Sequence, residues 1–444
     1  MRWIIAVLIL GLLVFIHELG HFLFAKINGV DVVEFSLGFG PRLVSTTVKG
    51  TRYSLKALPF GGSCQMKGMY DDEEEDENGR LATAVRTGDD GSFLSASLGR
   101  RAAIVIAGPL FNFLLAFVAA VVIIASVGYD PALVLEVRED SAAYEAGLRP
   151  NDTITSFMGH RVMISRDISA ELTFHELPET EPLTMTVKRD GQKIDIAYVP
   201  DPVTAYRFGI TYQPGAGQAV LLSVSEGSPF DKAGLKENDI ITALNGTEVA
   251  SADEMSAYLT EHPLDGSPVT VTYERDGQSH EITAAPVEVT YRDMGFDYNV
   301  GREKTGPVGV LSYSLYEVEY WIKTTVRSLG LFFTGGATVK DLSGPVGIVD
   351  IVGETYEESK PEGAFITWLS LLNIMLFLSA NLGVMNLLPI PAVDGGRLLF
   401  IIIEAIRGKP MDTRIENAVQ MVAVALLLAL MVFVMYNDIS RLIH

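Results

Sequence analysis

The chain has 444 residues, 48% of them hydrophobic, with a mean hydropathy of +0.27 and a net charge of −21. That length exceeds one ordinary domain, and the hydropathy is high for a chain surrounded only by water. The acidic balance argues against a nucleic-acid partner, since phosphate binding needs a basic surface, and a single cysteine, Cys64, excludes an intramolecular disulfide.

The hydrophobic excess is gathered in four runs, Trp3–Ile16, Ala102–Val127, Phe365–Leu388 and Ala418–Tyr436. The last three reach or approach the roughly 20 residues that cross a hydrocarbon core. The first does so only if it continues through His17, Glu18 and His21 to Ala25. Arg2 and the first run imitate a signal peptide. No A-x-A site follows, and His17-Glu18 interrupts the apolar region, so a retained span is expected.

After the first span, Phe35–Pro41 reads as Gly/Pro-rich loop, and Tyr53–Gly62 as a short strand ending at a turn. Cys64 reads as a small loop residue rather than a nucleophile. Asp71–Arg80 reads as a solvated acidic loop. The second span contains Gly108-Pro109-Leu-Phe-Asn112. Between the second and third runs, Gly128–Lys304 carries 30 Asp and Glu against 14 Lys and Arg. Arg397, Arg407, Lys409 and Arg414 lie between the third and fourth, so the positive-inside rule puts that connection in the cytoplasm and the acidic region outside.

The acidic region contains a duplication. Ser141–Asp152 is matched by Ser228–Asp239, and Ile154/Ile241, Gly159/Gly246 and Val162/Val249 keep the same offset; Arg189–Gln192 is matched by Arg275–Gln278. Each copy reads as strand, short helix ending in Ala-Gly-Leu, Asn-Asp turn, strand, Gly turn, helix and hairpin. That pattern resembles bacterial PDZ domains. The second copy fits through Ser228-Pro229, Ala233-Gly-Leu235, Asp239-Ile-Ile241 and Asn245-Gly246. The first departs at Met158-Gly159 and lacks the Pro after Ser141, so it is the weaker candidate for binding a peptide along a sheet edge. The amphipathic stretch Val308–Val349 is expected to form surface helices or to brace the third span, with Tyr320 and Trp321 at the interface.

His17-Glu-Leu-Gly-His21 is an H-E-x-x-H match. Four residues advance a helix about 400°, so the two imidazoles share one face and can reach one Zn²⁺, with Glu18 beside them to take a proton from water. Three ionisable groups in an apolar span cost a few kcal/mol each, which makes function the first reading and a mutually satisfied polar cluster the second. The third ligand is not local. Phe24 and Ile27 stand where a metzincin needs Gly and His, and Glu34 and Glu73–Glu75 lie in loops without a supporting pattern. The third run ends Asn386-Leu-Leu-Pro-Ile-Pro-Ala-Val-Asp-Gly-Gly396. Its prolines and glycines break the helix, and broken backbone at membrane depth belongs beside protein or a wet cavity. Asp394 is therefore a candidate ligand; the alternative is an N-cap of the next helix.

Taken together, His17–His21 and Asn386–Gly395 resemble the site-2 protease family (M50-type zinc intramembrane metalloproteases), of the bacterial regulator-of-sigma-E protease type. Gly38–Pro41, Pro59–Gly62, Gly108–Asn112 and Ser343–Gly347 match the same type, and the resemblance runs nearly end to end. Val393 replaces the usual Leu, and Ser63-Cys64-Gln65 replaces a stretch with an aromatic and Val. The resemblance implies one Zn²⁺ per chain held by His17, His21 and Asp394, Glu18 as general base, and Asn386 as a substrate-positioning residue. It also implies that Tyr53–Met66 is a membrane-associated β-loop presenting substrate as an extended strand. Asn112 is read as a helix–helix hydrogen bond.

The fold class so expected is a polytopic α-helical membrane protein of about four spans, with a β-loop and two tandem α+β PDZ-like domains. The divisions are residues 1–27 (first span), 28–100 (cytoplasmic β-loop region), 101–127 (second span), 128–213 and 214–290 (PDZ-like domains), 291–364 (connector), 365–414 (third span and loop) and 415–444 (fourth span). The expected activity is cleavage, in regulated intramembrane proteolysis, of single-span membrane proteins of the anti-sigma-factor kind or of remnant signal peptides. The location expected is the bacterial inner membrane, with the metal toward the cytoplasm and the PDZ pair outside. The partners are the lipid bilayer, those substrates, and a peptide ligand for the PDZ pair. The alternatives are a membrane-tethered PDZ scaffold and a metal transporter, though transporters favour repeated membrane halves and this repeat is not in the membrane.

Overall fold

A computed structural model describes residues 2–69, 91–212, 217–299, 301–338, 342–411 and 413–443; the run Asp71–Arg80 lies outside the described residues. In chain order, α1 (Arg2–Ile27), β1 (Val32–Val48), β2 (Thr51–Met66) and α2 (Leu98–Val127) come first. The first repeat supplies β3 (Val134–Val137), α3 (Ala142–Glu145), β4 (Thr153–Phe157), β5 (His160–Arg161), α4 (Ser165–Phe174), β6 (Leu183–Arg189) and β7 (Gln192–Tyr198). Then come β8 (Asp201–Arg207), β9 (Ile210–Tyr212), β10 (Ala219–Val224), α5 (Pro229–Lys232), β11 (Ile240–Leu244), β12 (Thr247–Glu248), α6 (Ala252–Glu261), β13 (Val269–Arg275) and β14 (Gln278–Ala284). The chain continues through β15 (Val287–Asp293), β16 (Phe296–Tyr298), α7 (Pro307–Thr334), α8 (Pro345–Ser359), α9 (Ala364–Leu387), α10 (Asp394–Arg407) and α11 (Thr413–Ile443).

Two compact units result: Met1–Ala132 with Met163–Ala170 and Val300–His444, and Leu133–Val162 with Glu171–Asn299. In the first, four helices among the described residues are long and apolar enough to cross a membrane: Trp3–Ile27, Leu98–Val127, Ala364–Leu387 and Ile415–Ser440. These are the four runs expected from sequence. Ala116, Ala119 and Ala120 give α2 a small-residue face, which lets Leu369, Leu376 and Ala380 of α9 and Val318 of α7 pack closely. Trp321 of α7 meets Phe377 of α9 with ring centroids 4.7 Å apart. Of the two roles open to the amphipathic stretch, this packing of α7 on α9 is that of a brace for the third span. Beyond it, the buried Asp438 carboxylate of α11 accepts hydrogen bonds from the Gly344 and Gly347 amides, 3.1 and 2.8 Å away, at the start of α8.

Residues 35–41, read from sequence as loop, are strand. Gly38 and Gly40 take φ of +86° and +88°, so β1 kinks repeatedly without leaving its pairing to β2. The central stretch of β1 pairs on both sides: Phe35 opposes Tyr53 and Cys64, and Leu37 opposes Leu55 and Gly62. Cys64 thus sits in a strand, not the loop expected for it, because β2 folds past Gly61 and returns along β1.

In the second unit the repeats form two sheets, β5-β4-β6-β7 and β14-β13-β11-β10-β9. The copies are nested. β9 pairs with β10 of the second copy, although it precedes the division expected after residue 213. β16, beyond residue 290, returns to pair with β3 of the first, and β15 pairs with β8 across the crossing. Each copy also keeps one buried carboxylate clamped by an arginine: Asp152 by Arg189, and Asp239 by Arg275. Asn151 and Asn238 supply the left-handed turn (φ +71° and +69°). At the Gly turn Asn245 takes φ +48°, and Met158 must take φ +50° in the first copy, a conformation that suits Asn better than Met. The sequence departure at Met158-Gly159 is thus a strained turn on an intact fold.

Candidate metal centre and cleft

Helix α1 carries His17 and His21 one turn apart, as their spacing dictates. The Nε2 atoms of the two imidazoles stand 3.2 Å apart, and each lies close to Asp394 Oδ2, at 3.1 Å for His17 and 3.2 Å for His21. A tetrahedral ion with bonds of about 2.0–2.1 Å spaces its ligands about 3.3 Å apart, so this triangle fits zinc and leaves one face open. Both imidazoles are buried, and His17, His21 and Asp394 are the one group of metal-ligating side chains that converges in this way among the described residues.

The N-cap alternative for Asp394 does not hold. Val393 occupies the N-cap, and Asp394 opens α10 with its carboxylate turned to the histidines. The loop that delivers it is tight: Ala392 takes φ +82°, and side chains on Gly395 or Gly396 would collide with the carbonyls of Leu388 and Ile390. Pro389 and Pro391 end α9, as expected of them.

Helix α2 forms the wall behind the imidazoles. A methyl group on Gly108 would overlap His21 Nε2 and come within 2.8 Å of His17 Cε1, and one on Gly20 would overlap the Ala107 carbonyl. The close crossing of α1 and α2 therefore depends on both glycines. His21 Nδ1 lies 2.9 Å from the Ile104 carbonyl oxygen, to which it can donate, and Asn112 Nδ2 lies 3.1 Å from His17 Nδ1. The sequence expectation for Asn112 is a helix–helix hydrogen bond. Its backbone carbonyl does accept from Ser379 Oγ of α9 at 2.7 Å, but its side chain goes to the imidazole. Only the Gly108–Asn112 motif could have signalled this.

His17, His21, Asp394 and Ile104 line a cleft of about 640 Å³ with Glu18, Asn386, Arg397 and the end of β2, Gly62–Met66. A Cβ on Gly62 would stand 3.1 Å from Glu18 Cγ. Gly62–Met66, the last five residues of the segment Tyr53–Met66 expected to present substrate, pairs with β1 along one edge and borders the cleft.

A membrane bundle with a two-histidine, one-carboxylate centre beside a second carboxylate, Glu18, is the architecture of a membrane metalloprotease. The model of peptidase family M50 matches residues 5–430, and the chain belongs to that family. It is 31% identical over 448 residues to the zinc metalloprotease RasP of Shouchella clausii, covering 98% of this chain and 97% of that protein. It is 30% identical over 460 residues to the regulator of sigma-E protease RseP of Escherichia coli, again covering 98% and 97%. Among solved structures, the HtrA3 PDZ domain bound to a phage-derived ligand aligns with 20% of this chain and 93% of its own, at 22% identity and a TM-score of 0.17. The chain is a zinc metalloprotease of the M50 family, a polytopic membrane protein with a duplicated sheet-rich unit.

Proposed function

We propose that this protease hydrolyses a peptide bond in or near the transmembrane segment of single-span membrane proteins, such as anti-sigma factors or remnant signal peptides, within regulated intramembrane proteolysis. The observation that carries the reading is the triangle of His17, His21 and Asp394 ligand atoms, 3.1–3.2 Å on a side, beside Glu18 at a strand edge within the span. One zinc ion bound by those three residues would supply a Lewis acid that polarises the scissile carbonyl and acidifies water. Glu18 takes the proton from the attacking water and returns it to the leaving amine. A helical substrate hides its backbone; pairing with Gly62–Met66 holds it unwound, and Asn386 orients it in the cleft.

By the charge distribution, the cleft faces the cytoplasm of the bacterial inner membrane and the acidic PDZ pair lies outside, where it bars substrates with bulky exported domains. In the second copy a Tyr212–Ser256 hydrogen bond of 3.0 Å joins β9 to α6. A peptide entering between them would have to displace it, which favours filtering over ligand capture there.

The test is reconstitution with a single-span substrate, comparing wild type, Glu18→Gln and Asp394→Asn with zinc measured in each. Glu18→Gln should keep zinc and lose cleavage, and Asp394→Asn should lose both. Unchanged cleavage in Glu18→Gln would sink the mechanism.

A further inference from the structure

We infer that Asn112 is a positioning residue that fixes which nitrogen of His17 faces the metal, its amide oxygen accepting the Nδ1–H of that imidazole. The inference rests on His17 being a zinc ligand, as proposed above. His17 Nε2 is the atom that meets Asp394 Oδ2 and His21 Nε2. To bind a metal it must offer a lone pair, so the one proton of the neutral ring sits on Nδ1. Nδ1–H is a donor and needs an acceptor. His21 has one in the Ile104 carbonyl. At His17 the group within reach is the Asn112 amide, 3.1 Å away.

Asn112 is fully buried, and its Oδ1 has no hydrogen-bond partner while its Nδ2 faces His17 Nδ1. An amide nitrogen cannot accept from Nδ1–H. A half-turn of the terminal amide exchanges the two atoms and pairs the orphaned oxygen with the imidazole proton. The gain is twofold: a buried acceptor is satisfied, and the tautomer with its lone pair on Nε2 is favoured. The Asn112 side chain can turn without loosening the bundle, since its link to α9 runs through its backbone carbonyl and Ser379 Oγ.

The test measures zinc affinity by chelator competition in full-length, detergent-solubilised protein, with the cobalt(II) absorption spectrum as a second readout of ligand geometry. Asn112→Leu keeps the bulk but removes the acceptor, and should weaken zinc binding roughly 10- to 100-fold and alter the cobalt spectrum. Asn112→Asp keeps an acceptor there and should hold zinc at least as tightly as wild type. Wild-type affinity in Asn112→Leu overturns the inference; so does equal loss in both variants, which would assign the site to packing. Asp394→Asn separates this from the underlying reading: if it binds zinc like wild type, the ligand assignment itself fails.

Discussion

Gly108 of α2 lies so close to His21 of α1 that a methyl group in place of its hydrogen would come within 2.5 Å of the imidazole Cε1 and overlap Nε2. The backs of the two imidazoles are thus held by an absence of side chain. Gly108→Ala should push His21 out of the triangle and cut zinc affinity by about tenfold or more, with proteolysis falling in step. Zinc content by elemental analysis checks it: full occupancy with full activity would show that α2 can retreat.

Much of this centre was legible in the sequence, because its parts are either local or punctuated. The histidines are four residues apart on a helix, and Asp394 follows a proline- and glycine-broken span end whose backbone has no other place at membrane depth. The partners of those residues were less legible. Asn112 reaches His17 across 95 residues, and Ile104 offers a backbone carbonyl, which every residue has. The repeat was plain from its offset, yet its nesting was not, since β16 finds β3 through pairing between strands some 160 residues apart and no periodicity records that. The same holds for β2, whose return along β1 depends on turns at glycines rather than on an alternating pattern.

The edge formed by Gly62–Met66 yields a second prediction. Successive backbone N–H groups of a strand point to opposite sides, so of Ser63→Pro and Cys64→Pro one removes a donor directed at the cleft. That one should depress cleavage of a stable transmembrane helix more than cleavage of a helix already loosened by Gly or Pro. Equal depression for both substrates would mean that strand pairing does not prepare the substrate.

Cys64 offers a chemical probe of the same edge. Burial, with Glu18 adding to it, pushes the thiol well above its ordinary range. Only the thiolate is alkylated, so labelling should be slow near neutrality and still climbing beyond about pH 9, where a free thiol has levelled off. A cleft-directed inhibitor should slow it further, read by mass spectrometry of the single cysteine. Rapid labelling at neutral pH, unaffected by the inhibitor, would place the thiol outside the cleft.

The duplicated clamps predict matched losses of stability. Asp152 and Asp239 are almost wholly buried, and each carboxylate receives two bonds of 2.6–2.7 Å from its arginine as well as a backbone amide from Arg149 or Lys236. Arg189→Ala or Arg275→Ala strands a buried charge. Because the guanidinium groups remain about one-third exposed, the cost should be about 1–3 kcal/mol rather than the full value for a sealed pair. Denaturant titration followed by limited proteolysis of the repeats should show both variants shifted by similar amounts.

The last prediction concerns pH and the start of β1. Arg42 donates two hydrogen bonds, of 2.9 and 2.7 Å, to the Glu34 carboxylate, and this holds Glu34 down at about 2. A carboxylate whose folded value is depressed adds stability that is complete above its unfolded value of about 4.3 and is lost as pH falls toward the folded one. The β1–β2 hairpin should therefore resist protease at pH 6, and cleavage within Val32–Val48 should rise as pH falls from about 4.5 toward 2. Arg42→Gln removes the cause of the depression, so the variant should be more easily cut at neutral pH and lose much of that dependence. An acid profile that persists unchanged in Arg42→Gln would assign it to another carboxylate.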